Sequence, residues 1–305
     1  MNATDSAVTL KDLLWKVAKD CMERGMGLNV TDLEAMAKRC RRNIVKMVYN
    51  AGAGHPGGSL SAIDMLVGLY GHRLRVDVDS PKAADRDRFI MSKGHASPGV
   101  YAVLHERGFL SETDLTTFRK LGGPCQGHVD MKWCPGVDFS AGSLGMGLSF
   151  GIGCGLAATL DSSDRTAWVM LGDGELQEGQ IWEAVMYAGA KKVDNLILSI
   201  DVNRQQICGS TDEILALGDL KEKFSAFNWK VLEVQDGNNI ESVLNQLHQA
   251  KQLTSNNQPI CILLNTEMGC GVDYMMGSHK WHGIAPNDEQ LETALNQLEE
   301  TLGDY

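Results

Sequence analysis

The sequence is short of positive charge: Lys and Arg number 28 against 39 Asp and Glu, for a formal net charge of -11. This excludes a nucleic-acid partner, which needs a basic face. It also means that any anionic ligand needs local help, from a bound cation or from helix amino-termini. The eight cysteines (Cys21, Cys40, Cys125, Cys134, Cys154, Cys208, Cys261 and Cys270) contain no C-x-x-C pair and no zinc-ligand spacing. They read as reduced thiols of a cytoplasmic protein rather than as a disulfide framework. The opening MNATDSAVTLKDLL lacks the basic region and apolar run of a secretory signal. Internal repeats, low-complexity tracts and a clear interdomain linker are also missing. With 43% hydrophobic and 22% charged residues the chain has the composition of a globular protein, not a disordered one.

One stretch imitates a membrane span. Residues 139–160, FSAGSLGMGLSFGIGCGLAATL, carry no charge and contain G-x-x-x-G steps at Gly147, Gly151 and Gly155. Its many glycines make it weakly apolar, and neither an aromatic belt nor a basic cluster flanks it. The expectation is a buried helix packed closely against a neighbour.

Residues 1–37 read as a helical amino-terminal extension, with the amphipathic run LKDLLWKVAKDCMERGM stopped by Gly25 and Gly27. A further helix, LEAMAKRCRRNIVKMVYNAG, ends at the glycine-rich turn AGAGHPGGSLS. From about residue 165, apolar strands alternate with amphipathic helices: TAWVMLGDG, EGQIWEAVMYAGAKK, NLILSIDVN, WKVLEVQDG, NIESVLNQLHQAKQLT and PICILLNTEMG. This order predicts an α/β domain over 38–305, a parallel sheet with helices on both faces. The tail after His282 reads as a surface helix. Ligands of such sheets bind beyond the carboxyl ends of the strands, here at Asp173, Asn203, Gly237 and the turn after Thr266.

The most informative segments are LGDGELQEGQIWEA (171–184) and DVNRQQ (201–206). Asp173 and Asn203 end consecutive parallel strands, which brings one carboxylate and one amide oxygen together, as a hard cation such as Mg²⁺ or Ca²⁺ requires. Taken alone, GDG is better read as a strand-to-helix turn; the asparagine 30 residues later, with strand, helix and strand between, makes the pattern more specific.

The segments GHPGGSLS (54–61), MSKGHASPGVYAVL (91–104), GGPCQGHVDMKWCPGVDFSAGSLGMGLS (122–149), GDGELQEGQIWEA and GSHKWHG (277–283) resemble, in order, the amino-terminal motifs of transketolases. The resemblance implies a thiamine diphosphate-binding domain. It implies Asp173, Asn203 and the backbone carbonyl of Gln205 as ligands of Mg²⁺, with Ca²⁺ or Mn²⁺ as substitutes. His95 and His279 match histidines that contact the cofactor's diphosphate, and His279 joins His55 and His128 in the catalytic set. His55 and His128 match histidines that face the donor sugar and shuttle protons. Gly142 and Leu144 match positions lining the cofactor pocket, Gly174 a backbone contact to the diphosphate, and Glu178 a glutamate that couples two cofactor sites across a subunit interface. His72, His105, His248 and His282 match nothing so specific and are read as structural.

The activity implied is transfer of a two-carbon ketol unit from a ketose phosphate to an aldose acceptor, within pentose phosphate or related carbohydrate metabolism. In the family the pyrimidine-binding domain, its glutamate and the sugar-phosphate clamp follow the region matched here. The expectation is therefore an amino-terminal subunit, active only with a separate carboxy-terminal subunit in an α2β2 assembly. Val129, Met146 and Val202 depart from the family pattern, and the first two put the donor sugar in question. The alternatives are the α subunit of a 2-oxo acid dehydrogenase, against which GHPGGSLS and GSHKWHG speak, and a non-catalytic thiamine diphosphate-binding paralogue.

Overall fold

The computed structural model describes residues 28–299. The helix expected over LKDLLWKVAKDCMERGM lies outside the described residues. The described residues form ten α-helices, in chain order α1 (Val30–Ala51), α2 (Pro56–Gly68), α3 (Ser97–Glu106), α4 (Glu112–Leu115), α5 (Gly147–Leu160), α6 (Gly179–Ala190), α7 (Thr211–Leu215), α8 (Leu220–Ala226), α9 (Ile240–Gln252) and α10 (Asp288–Gln297). The main sheet contains β1 (Arg88–Met91), β2 (Ala167–Gly172), β3 (Leu196–Val202), β7 (Ile260–Asn265) and β6 (Lys230–Val234), in the order β1-β2-β3-β7-β6. All its pairings are parallel. A small antiparallel ladder joins β4 (Gln205–Gln206) to β5 (Gly209–Ser210).

The expected α/β architecture is present, and β1, which the sequence reading did not separate from its motif, adds an edge. Alternate residues of each strand enter different cores because side chains of a strand point to opposite faces. Trp168, Met170, Ile197, Ile260 and Ile262 join the core beneath α1, α2, α3 and α9. Val169, Leu171, Leu198, Ile200 and Cys261 join the core beneath α5, α6 and α8. Each fully buried Ile, Leu or Val contributes about 1.5–3 kcal/mol, so the sheet is held from both sides.

Helix α1 starts at Asn29, whose side chain accepts from Asp32 N at 3.0 Å, and stops at Gly52 with φ 61°. It runs unbroken through residues 37 and 38, so the boundary placed there falls inside one helix. Every residue of α2 is buried, as its apolar composition on all sides requires. Helix α10 does lie on the surface, with Ala294 turned inward.

The 139–160 stretch is a loop followed by α5, and the expected close packing holds on one face of that helix only. A Cβ at Gly151 would stand 2.3 Å from Val169 Cγ2, and one at Gly147 2.4 Å from Ser92 Cβ. The opposite face leaves Phe150 at 39% and Leu160 at 85% exposure. Among the described residues no helix is long and apolar enough to cross a membrane. Gly151→Ala is expected to lower stability by about 1–3 kcal/mol, the range for overpacking a close contact, as read by denaturant unfolding. An unchanged midpoint would show that α5 is free to shift off β2.

Candidate functional site

The carboxyl ends of β1, β2, β3 and β7 lead into Ser92 and Lys93, Asp173, Asn203 and Thr266. Asp173 is only 2% exposed. Its Oδ1 accepts from Gly174 N at 2.8 Å and its Oδ2 from Arg204 N at 2.6 Å, so the turns after β2 and β3 close on one carboxylate. Burial pushes its pKa up to about 7, with the neighbouring charge of Asp201 adding to the rise. A carboxylate so placed favours a cation beside it. Asn203 follows β3, and its Oδ1 accepts from Gln205 N at 3.0 Å.

Four histidine rings meet beside these strand ends. His55 is the N-cap of α2, immediately before Pro56 at the first helical position. His55 lies 5.0 Å from His95, 5.6 Å from His282 and 6.4 Å from His128, and His95 lies 5.1 Å from His282, all between ring centroids. The segment carrying His282 approaches this closely because Gly57 leaves room: a Cβ there would stand 2.9 Å from the carbonyl oxygen of Trp281. The ladder that carries Gln205 packs against the turn His279–His282, which joins the Asp173 end to the histidines.

Burial lowers the His55 and His282 pKa values to about 4; like charges add to this, those of His282, Arg119 and His128 at His55 and that of Lys93 at His282. His95 is driven down well below the ordinary imidazole range by burial, and His128 is lowered by burial and Arg119. All four are therefore neutral near pH 7, each with one donor and one acceptor nitrogen. The Nδ1 atoms of His55 and His282 are buried without a protein partner. A buried polar atom without a partner marks a place where a ligand supplies one.

The remaining expected residues sit on loops and turns. Gly142 is open, with nothing within 4 Å of a Cβ placed there, and Leu144 is 36% exposed. Gly174 sits beside Asp173 at the start of a short helical turn. Glu178 is exposed at the N-cap of α6, and its Cβ would meet a Cβ at Gly145 at 3.1 Å. Buried Glu175, which the sequence reading passed over, anchors this loop: it accepts from Ser92 Oγ at 2.5 Å, Gly145 N at 2.8 Å and Gly172 N at 3.2 Å.

Two expectations change. His282, read as structural, enters the cluster, whereas His279, assigned to the diphosphate, has no ring contact with it among the described residues. Both occupy one short turn, and GSHKWHG does not reveal which ring turns inward. Of the two residues that depart from the family pattern near the donor, Val129 is buried at 1% exposure and Met146 is 48% exposed. Lys93, Asp201 and Arg119 were also missed. Arg119 takes the left-handed conformation, φ 59°, near His55 and His128.

Residues 33–302 match the family described as "Transketolase, thiamine diphosphate binding domain". The chain belongs to this family. It is 38% identical over 275 residues to an apulose-4-phosphate transketolase subunit of Phocaeicola vulgatus, covering 90% of this chain and 96% of that protein. It is 37% identical over 268 residues to a 6-deoxy-6-sulfo-D-fructose transketolase subunit of a Clostridium species, covering 88% and 96%. The transketolase of Campylobacter jejuni superposes with a TM-score of 0.83 at 33% identity, over 89% of this chain and 43% of that one. This chain is thus a transketolase-type thiamine diphosphate-binding subunit, and the strand ends and histidines above belong to that domain.

Neutral histidines tie the stability of this transketolase domain to pH. Between pH 6.5 and about 4 the unfolded chain binds protons that folded His55 and His282 refuse, so their contribution to stability falls as pH falls. Asp173, whose folded pKa is raised, acts in the opposite direction over about pH 4–7. The test is therefore a comparison of variants. Between pH 7 and pH 4.5, a His55→Gln/His282→Gln variant is expected to lose less unfolding free energy than the parent. Equal losses would mean that these rings titrate normally.

Proposed function

We propose that this chain is the cofactor-holding amino-terminal subunit of a two-chain transketolase. It moves a two-carbon ketol unit from a ketose carrying a terminal anionic group to an aldose acceptor. The observation that supports this reading is the cluster of neutral, partly unpartnered histidines, linked to the turns of Asp173 and Asn203 by the packing of the Gln205 ladder against the turn His279–His282. The two relatives covered to 96% are named as transketolase subunits, which supports a separate partner chain. The relatives' named sugars bear a phosphate or a sulfonate, and this supports a strongly acidic substrate over a neutral one.

The residues fit thiamine diphosphate with a divalent cation. Among the described residues no three His, Cys, Asp or Glu side chains form a metal cage. A cation here would be held by Asp173, Asn203 and the Gln205 carbonyl, with diphosphate oxygens completing its shell, as suits Mg²⁺. When bound, the cofactor supplies an electron sink for breaking and forming carbon–carbon bonds. His95 and His282 donate hydrogen bonds to anionic oxygens, and His55 and His128 accept and return protons of sugar hydroxyls. Gly142, with nothing within 4 Å of a Cβ placed there, leaves the backbone open to close approach, whereas the space at Gly174 is bordered by Gln206 at 3.3 Å.

Leu144 and Met146 in the loop that meets Glu178, Phe150 of α5, and Met186 and Tyr187 of α6 are exposed apolar side chains, which supports an interface with other subunits in an α2β2 assembly. The cysteines described are free, Cys40, Cys125, Cys134 and Cys261 among them buried, consistent with a reducing cytoplasmic setting.

Alone, the chain is expected to show little ketol transfer, and adding the companion polypeptide is expected to restore it. Full turnover by the isolated chain would sink the two-chain reading. In the complex, Asp173→Ala is expected to abolish magnesium-dependent cofactor binding measured by calorimetry. His282→Ala should lower kcat/KM by about 10²–10³-fold, the range for losing one positioned hydrogen-bond donor to an anionic oxygen, and His279→Ala by less than about tenfold. The reverse order would return the role to His279.

A further inference from the structure

Asp201 is wholly buried, one residue before the end of β3. A carboxylate in that position needs donors, and they converge on it from separate elements. Its Oδ2 accepts from Ser61 Oγ of α2 at 2.6 Å, from Asn203 Nδ2 at 3.0 Å and from Lys93 Nζ, and its Oδ1 accepts from Thr266 Oγ1. Lys93 is itself buried, and its Nζ also donates to the carbonyl oxygen of Gly58 at 3.0 Å.

The consequence falls on Asn203. A primary amide has an accepting end and a donating end, and turning it over exchanges them with almost no change of shape. Here Asn203 Nδ2 donates to Asp201 and, at 3.2 Å, to Ser61 Oγ, so both amide hydrogens are engaged. The reversed amide would set its oxygen against a carboxylate oxygen, and against a hydroxyl whose proton already goes to Asp201. Oδ1 is thereby held on the opposite side, toward Gln205 N. Lys93 balances the Asp201 charge, so the carboxylate can orient the amide without adding net negative charge next to a diphosphate.

We propose that Asp201, neutralised by Lys93, is the positioning residue of the cation site: it locks the Asn203 amide so that Oδ1 faces the bound cation. This rests on the reading of Asp173, Asn203 and Gln205 as cation ligands given above.

The test is magnesium titration of the complete two-chain complex with saturating thiamine diphosphate, followed by calorimetry, with circular dichroism to verify folding. Asp201→Asn is expected to weaken magnesium binding about 10–100-fold, the range for losing an outer-sphere partner of a ligand. Adding Asn203→Asp to it should restore affinity to within about threefold, because a carboxylate presents an oxygen in either orientation. A purely structural role for Asp201 would not be cured by a change at position 203. Affinity within about twofold of the parent in Asp201→Asn, or no recovery in a folded Asp201→Asn/Asn203→Asp variant, overturns the proposal. If Asn203→Ala also binds magnesium normally, the ligand reading fails, and this proposal with it. Should Asp201→Asn not fold, Ser61→Ala keeps the Lys93–Asp201 pair and removes one acceptor of the amide. It is expected to weaken binding about 3–10-fold, and unchanged affinity overturns the proposal.

Discussion

The buried pair of Lys93 with Asp201 is the interaction on which the strand-end region depends. It ties the turn after β1 to β3, and through Ser61 and Thr266 it draws in α2 and the turn after β7. Removing one member of such a pair leaves an uncompensated buried charge, which costs about 3–5 kcal/mol. Stability and site geometry therefore rest on the same atoms. The helix that begins at His55, the turn that carries Asp173 and the amide of Asn203 all sit within reach of this one charge balance.

A chain with a net charge of -11 that belongs to a thiamine diphosphate-binding family offers an anionic cofactor neutral donors rather than a basic surface and, in the function proposed above, one focused cation site. Burial keeps the histidines uncharged, which makes them able to accept protons as well as to donate hydrogen bonds. The raised Asp173 carboxyl belongs to the same logic. Desolvation that disfavours its charge also strengthens its attraction to a cation that enters. Glu175 acts at longer range by pinning the loop that carries Gly142 and Leu144 to the turn after β2.

Much of this was legible in the residue order. Strand, helix and strand from residue 165 onward pointed to the parallel sheet, because alternating apolar runs of those lengths bury both faces in few other ways. Asp173 and Asn203 fall at strand ends, where the sheet rule places ligands, whereas His55, His95 and His128 were singled out by the resemblance of their motifs. The GSHKWHG turn was not resolved in the same way. Its two histidines are so close in the chain that only the packing of Trp281 and Gly283 against α2 turns His282 inward. Similarly, the uncharged 139–160 stretch reads as wholly buried, whereas its helix is covered on the glycine face alone. The helix read over LEAMAKRCRRNIVKMVYNAG already crossed residues 37 and 38, and the structure extends it back to Val30.

The sequence by itself determined the sheet, the order of its elements and which polar residues end the strands, since these follow from local periodicity and short-range turn chemistry. Only the tertiary structure decided which histidine joins the cluster, that Lys93 meets Asp201, and which way the Asn203 amide faces. Those outcomes depend on donors and acceptors far apart in the chain, such as Ser61 and Asp201 or Lys93 and Asp201. No local pattern records a partner that arrives through the fold.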